Sequence, residues 1–125
     1  MATRSTIARK NKDGSYTGIY CHWDGYPSNN GKVLFDHYKT DEKIDSLIAL
    51  GNISSLGGGV TTCIAHHRDR GEDLLIYTGE SLLDISNKID QEYVYAWIDG
   101  KWEVWNGDTM LGVSIEDAIK IEYGI

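Results

Sequence analysis

Residues able to do chemistry gather in Tyr20-Cys21-His22-Trp23-Asp24-Gly25-Tyr26-Pro27, which holds the chain's only proline, one of two cysteines and one of four tryptophans. His22 and Asp24 stand two apart, so in an extended strand both side chains leave the same face. An imidazole and a carboxylate so placed suit polar contact with a ligand. Joined by His37, His66, His67 or Asp69, they would suit zinc, manganese or iron. No diagnostic spacing of the H-E-x-x-H kind is present, and four histidines in 125 residues are no enrichment. The structural alternative makes His22 a hydrogen-bonded strand residue and His37 a helix residue at a solvated edge. Cys21 adjoins His22, but strand neighbours point to opposite faces, so that adjacency makes no nucleophile–base pair. Cys63 sits in an apolar run and reads as core.

A second cluster is Arg68-Asp69-Arg70 before Gly71, in a chain that is otherwise acidic. Guanidinium groups grip phosphate bidentately, and glycine-rich turns can add backbone donors. Trp23, Tyr26 and Tyr38 offer faces on which a base could stack. Against this stands a structural reading, in which the two arginines form an ion-pair turn that buttresses the loop after Pro27 through Asp24. Gly57-Gly58-Gly59 neither follows a strand nor opens a helix, so it is no phosphate loop.

The elements that must position these residues follow from pattern. Thr3–Asn11 and Tyr16–Trp23 read as strands around Lys12-Asp13-Gly14-Ser15, with Ala8 expected opposite Ile19 and Thr6 opposite Cys21. Pro27 ends the strand, Ser28 is expected to cap a helix to about Lys39, and Thr40 a second helix whose Ile44, Leu47 and Ile48 share one side. Gly51 closes it, and Ile53–Leu56 is expected to add a helical turn. Val60–His67 reads as a strand, His66–Asp73 as a charged turn, Leu74–Tyr77 as a short strand and Glu80–Lys88 as a helix. Asp99-Gly100 centres a hairpin that sets Trp97 opposite Trp102 and Tyr95 opposite Val104. Ser114 caps the last helix, which buries Ile115, Ala118 and Ile119. The pattern predicts one α+β domain over residues 1–125, an antiparallel sheet built from hairpins with helices packed on one face.

The formal charge of −7 argues against general nucleic-acid binding, which needs clustered Lys and Arg. No apolar run has the ~18–20 residues of a membrane span, so no membrane partner is expected. Two cysteines without paired spacing, and no secretory signal, point to free thiols in a reducing cytoplasm. An exposed aromatic such as Trp105 makes self-association a further expectation.

Thr3–Ala8, the Cys21-His22-Trp23-Asp24-Gly25-Tyr26-Pro27 motif, Leu47–Leu56, Arg68-Asp69-Arg70-Gly71-Glu72 and Asp99-Gly100-Lys101-Trp102 together resemble a family of small, mostly uncharacterised bacteriophage and prophage proteins. The resemblance implies an accessory protein of the host cytoplasm that counters bacterial immunity. It would act without a cofactor, by binding an anionic nucleotide signal. The expected ligand contacts are His22, Trp23, Asp24, Tyr26, Tyr38, Arg68 and Arg70. Two alternatives stand beside it: an inhibitor that engages a host defence protein through its acidic surface, and a small metal-dependent hydrolase using His22, Asp24 and His37.

Overall fold

The computed structural model describes residues 3–107 and 109–125. Two hairpins supply the centre of one sheet. The first pairs β1 (Ser5–Lys10) with β2 (Tyr16–Trp23), the second β6 (Tyr93–Ile98) with β7 (Lys101–Asn106). Their first strands, β1 and β6, lie side by side and parallel. Outside them run β3 (Ile53–Ser55), β4 (Ile64–Ala65) and β8 (Met110–Val113), in the order β4-β3-β2-β1-β6-β7-β8, while β5 (Tyr77–Gly79) pairs with the start of β2. Most pairs are antiparallel, as hairpins require; β1–β6 and β2–β3 are parallel. The fold is α+β.

The two hairpin turns differ, and the difference sets which side chains are buried. At Asp99-Gly100 both residues have positive φ (51° and 80°), the geometry of a two-residue turn, and Trp97 faces Trp102 and Tyr95 faces Val104 as the pattern demands. At the first turn only Gly14 has positive φ. Asn11 N–H donates to the Ser15 carbonyl at 2.7 Å, and the Asp13 carboxylate accepts from Ser15 N–H and Oγ–H. The loop is therefore one residue longer than a two-residue turn, and the register slips by one. Ile7 lies opposite Ile19 and Ser5 opposite Cys21, in place of the expected Ala8 and Thr6.

One sheet face carries Ile7, Ile19, Cys21, Tyr95, Trp97, Trp102 and Val104. It is covered by α1 (Lys32–His37), α2 (Asp41–Ile48) and α5 (Ile115–Tyr123), which contribute Leu34, Ile44, Leu47, Ile115 and Ala118. Thr40 and Ser114 cap α2 and α5 by accepting from Lys43 and Asp117 N–H. A further helix, α4 (Leu82–Lys88), lies on the opposite face, where Leu82 and Leu83 line an open hollow with Val94 and Trp105. Helices thus stand on both faces, α1, α2 and α5 on the core side and α4 on the other.

Several local expectations are corrected. Helical structure begins at Pro27, in a wide turn over Pro27–Gly31 that leads into α1. Ser28 is no cap; its N–H and Oγ–H donate to Glu122 of α5 at 2.9 and 2.6 Å. Ile53–Ser55 is a strand, because Asn52 turns the chain alongside β2 by accepting Tyr20 N–H with its side chain. Of Val60–His67 only Ile64 and Ala65 are strand. Val60–Thr62 is a single tight turn, and the charged stretch forms a short helix, α3 (His66–Arg70), closed by Gly71 at φ 69°. The strand expected at Leu74–Tyr77 begins at Tyr77, and β8 carries no strong signal of its own.

Tyr95 ties the core to the Asp24-Gly25 loop: its fully buried hydroxyl donates to the Gly25 carbonyl at 2.6 Å. Tyr95→Phe should lower the unfolding free energy by about 1–3 kcal/mol, since it removes a buried hydrogen bond and leaves an acceptor unmade. An unchanged urea midpoint would show that the bond contributes nothing.

Candidate functional site

Strand alternation sends Cys21 into the core and His22 to the opposite face, two residues on from Tyr20. The Tyr20 hydroxyl and His22 Nδ1 are 2.5 Å apart. Beyond β3 and β4, α3 brings His66 to the same face, its ring edge-on to Tyr20 with centroids 6.5 Å apart. Arg70, at the end of α3, donates to Ser54 Oγ at 2.9 Å and pairs with Glu72. Arg4 lies near Tyr20 and pairs with Asp90 at 3.4 Å. Trp23, 53% exposed, stands beside His22 with ring centroids 5.4 Å apart.

The result is an open face of two imidazoles, a phenol and two guanidiniums, with an exposed indole at its edge. Burial holds the His66 pKa below its ordinary 6.5, helped by the charges of Arg70 and His22 and opposed by Glu72. Burial also raises the Tyr20 hydroxyl above its ordinary 10, so it stays protonated at neutral pH. The face presents imidazole and guanidinium N–H donors to a ligand, and its two guanidiniums are each paired with a carboxylate, Arg4 with Asp90 and Arg70 with Glu72.

Three of the expected contacts therefore converge: His22, Trp23 and Arg70. The others go elsewhere. Arg68 is spent on its own backbone and neighbour: Nη1 donates to the Val60 carbonyl (2.8 Å), Nη2 to the Cys63 carbonyl (2.6 Å), and Nε and Nη2 to Asp69 (both 2.9 Å). Asp69 in turn accepts Ala65 N–H at 2.7 Å, at the start of α3. This is the structural ion-pair turn, built without Asp24. Tyr38 is 2% exposed, its hydroxyl donating to the Gly57 carbonyl, so its ring is core and no stacking platform. Tyr26 is half-exposed against Tyr93, with centroids 5.9 Å apart. Asp24 acts through its carbonyl, which accepts from Asn30 N–H and Asn29 Nδ2–H to hold the turn before Pro27.

His37 ends α1, beside Gly58, on the helix-covered side of the sheet. Among the described residues no three His, Cys, Asp or Glu side chains are grouped to hold a metal ion, so His22, Asp24 and His37 do not assemble as the hydrolase alternative requires. Burial pushes the Cys21 thiol up to about 12, far from a reactive thiolate. Trp105 is half-buried, with its ring nitrogen covered and unpartnered.

Sequence reasoning passed over Tyr20, Ser54 and Arg4, and weighed His66 only as a metal ligand. Tyr20 was within reach, two residues from His22 in a strand. Ser54 and His66 were not, since their position depends on β3 and β4 being strands. No protein-family model, curated protein or solved structure matches the chain. No helix among the described residues is long and apolar enough to cross a membrane.

The Arg68 hydrogen bonds, then that from Ala65 N–H, hold the Asp69 carboxyl at about 2, against an ordinary 3.8. A depressed folded-state pKa gives stability that is complete above 3.8 and lost as the pH falls toward 2. Asp69→Asn should lower the thermal midpoint at neutral pH, and the gap from wild type should close in that acid window. A gap independent of pH would exclude the charged contact as its source.

Proposed function

We propose that this protein is a non-enzymatic binding protein that holds a small anionic, nucleotide-like ligand on the face formed by Tyr20, His22, His66 and Arg70. The observation that carries the reading is the convergence of those four side chains beside the exposed Trp23. Arginine and imidazole N–H groups suit phosphate oxygens, and an exposed indole suits a base. The chain offers no activated thiol to set against this, since both cysteines are buried. The resemblance to small phage proteins gives the reading its setting: sequestration of a nucleotide immune signal in an infected bacterial host.

Calorimetric titration with a panel of dinucleotides and cyclic nucleotides, with the Trp23 indole N–H signal in NMR spectra read alongside to place the ligand on this face, tests it. One class should bind, and His22→Ala combined with Arg70→Ala should abolish that binding without loss of fold, since both residues are outside the core. Because an anion favours protonated His66, affinity should rise as the pH falls below 6.5. Full affinity in the double variant rules the site out. Should no nucleotide bind, while a host defence protein is captured in a salt-sensitive complex, the acidic-surface inhibitor reading replaces this one.

A further inference from the structure

A second site lies at the opposite end of the sheet. Because β1 and β6 run parallel, the Asp99-Gly100 turn stands far from His22, at the end where β1 enters its own turn. There the hairpin tip, the end of α1 and the start of α5 enclose a cleft of about 320 Å³. Phe35, Trp97 and Trp102 line it, together with Lys39 and Lys101.

The aromatic walls are fixed in place. Trp102 Nε1–H donates to the Tyr38 carbonyl and Trp97 Nε1–H to Asp41, both at 2.9 Å, and the two rings meet edge to face with centroids 5.3 Å apart. With their N–H groups engaged, the indoles offer the cleft only ring surface. Phe35 is exposed, with the Lys39 ammonium 5.1 Å from its centroid. Among the described residues no carboxylate lies within ion-pair distance of Lys39 or Lys101. Glu116 also lines the cleft, so its three ionised side chains sum to one positive charge, in a chain whose total is −7.

We propose that this cleft binds a planar aromatic anion the size of a nucleoside monophosphate, its ring against Phe35 and its phosphate between Lys39 and Lys101. The volume is at the lower end of the roughly 300–1,000 Å³ of small-molecule pockets, which suits one nucleotide and excludes two. Lysine ammonium groups grip phosphate as point charges, and base stacking on an aromatic face tolerates any base. The single excess positive charge selects for an anion against the field of the whole chain. This site shares no residue with the imidazole face and goes beyond the function proposed for that face.

Adenosine 5′-monophosphate is the probe, with adenosine and inorganic phosphate titrated separately. Calorimetry gives affinity, and the indole N–H signals in NMR spectra give the place. The monophosphate should bind saturably and shift the Trp97 and Trp102 signals, leaving Trp23 unmoved. Lys39→Ala with Lys101→Ala should weaken it roughly ten-fold or more at an unchanged thermal midpoint. His22→Ala with Arg70→Ala should leave it intact, which separates this site from the imidazole face. The proposal is overturned by no shift at Trp97 and Trp102 up to about 10 mM monophosphate, a concentration that would reveal even millimolar binding. It is equally overturned if adenosine binds as tightly, or if the lysine variant binds like wild type.

Discussion

The parallel seam between β1 and β6 is the contact on which the rest of the molecule depends. Each hairpin alone is a two-stranded ribbon, too small to be stable in water. Joined along Ser5–Arg9 and Tyr93–Trp97, they become the middle of a sheet broad enough to carry helices on both faces. Glu92 locks the start of the seam, its carboxylate accepting Arg4 N–H and its own N–H donating to the Arg4 carbonyl. The seam is also costly to find, since it closes a loop of more than eighty residues before any of its contacts form.

Registration along that seam assigns every side chain to a face. Ile7 and Tyr95 fall on the side that α1, α2 and α5 cover, and Ala8 and Ala96 on the side that α4 covers in part. Because β2 is fixed to β1 in turn, Tyr20 and His22 face outward on the second side, where α3 brings His66 against Tyr20. An unfilled part of a sheet face is where a small protein can place polar groups without having to bury them. The same geometry separates the two candidate sites: the imidazole face lies where β2 ends, and the aromatic cleft where β6 turns into β7.

Polar groups that sequence would assign to a ligand are divided by the fold between building and display. Arg68 and Asp69 hold the 60–65 turn and the start of α3, and that local scaffold aims His66 and Arg70 at Tyr20 and Ser54. Two arginines separated by one residue therefore have different work. Arg68 finds carbonyls of its own loop within reach, whereas Arg70, one helical turn beyond His66, finds only the edge of the sheet and Glu72.

Local pattern was enough for the α+β class, the Asp99-Gly100 hairpin with its Trp97–Trp102 pair, and the caps at Thr40 and Ser114, because each rests on interactions between residues close in the chain. It was also enough to send Cys21 and His22 to opposite faces, since a strand alternates whatever its neighbours. The Ser5–Cys21 register turned on one extra loop residue, which the Lys12–Ser15 stretch does not announce. The strand at Ile53–Ser55, the burial of Tyr38 and the capture of Arg68 were decided by tertiary structure. For the first two a distant partner (Cys21 for Ile53, Gly57 and Cys63 for Tyr38) outweighed weak local preference, whereas Arg68 was taken by carbonyls of its own loop, which the Val60–Thr62 turn carries. The same holds for both candidate sites, whose residues are dozens of positions apart and meet only when the sheet closes.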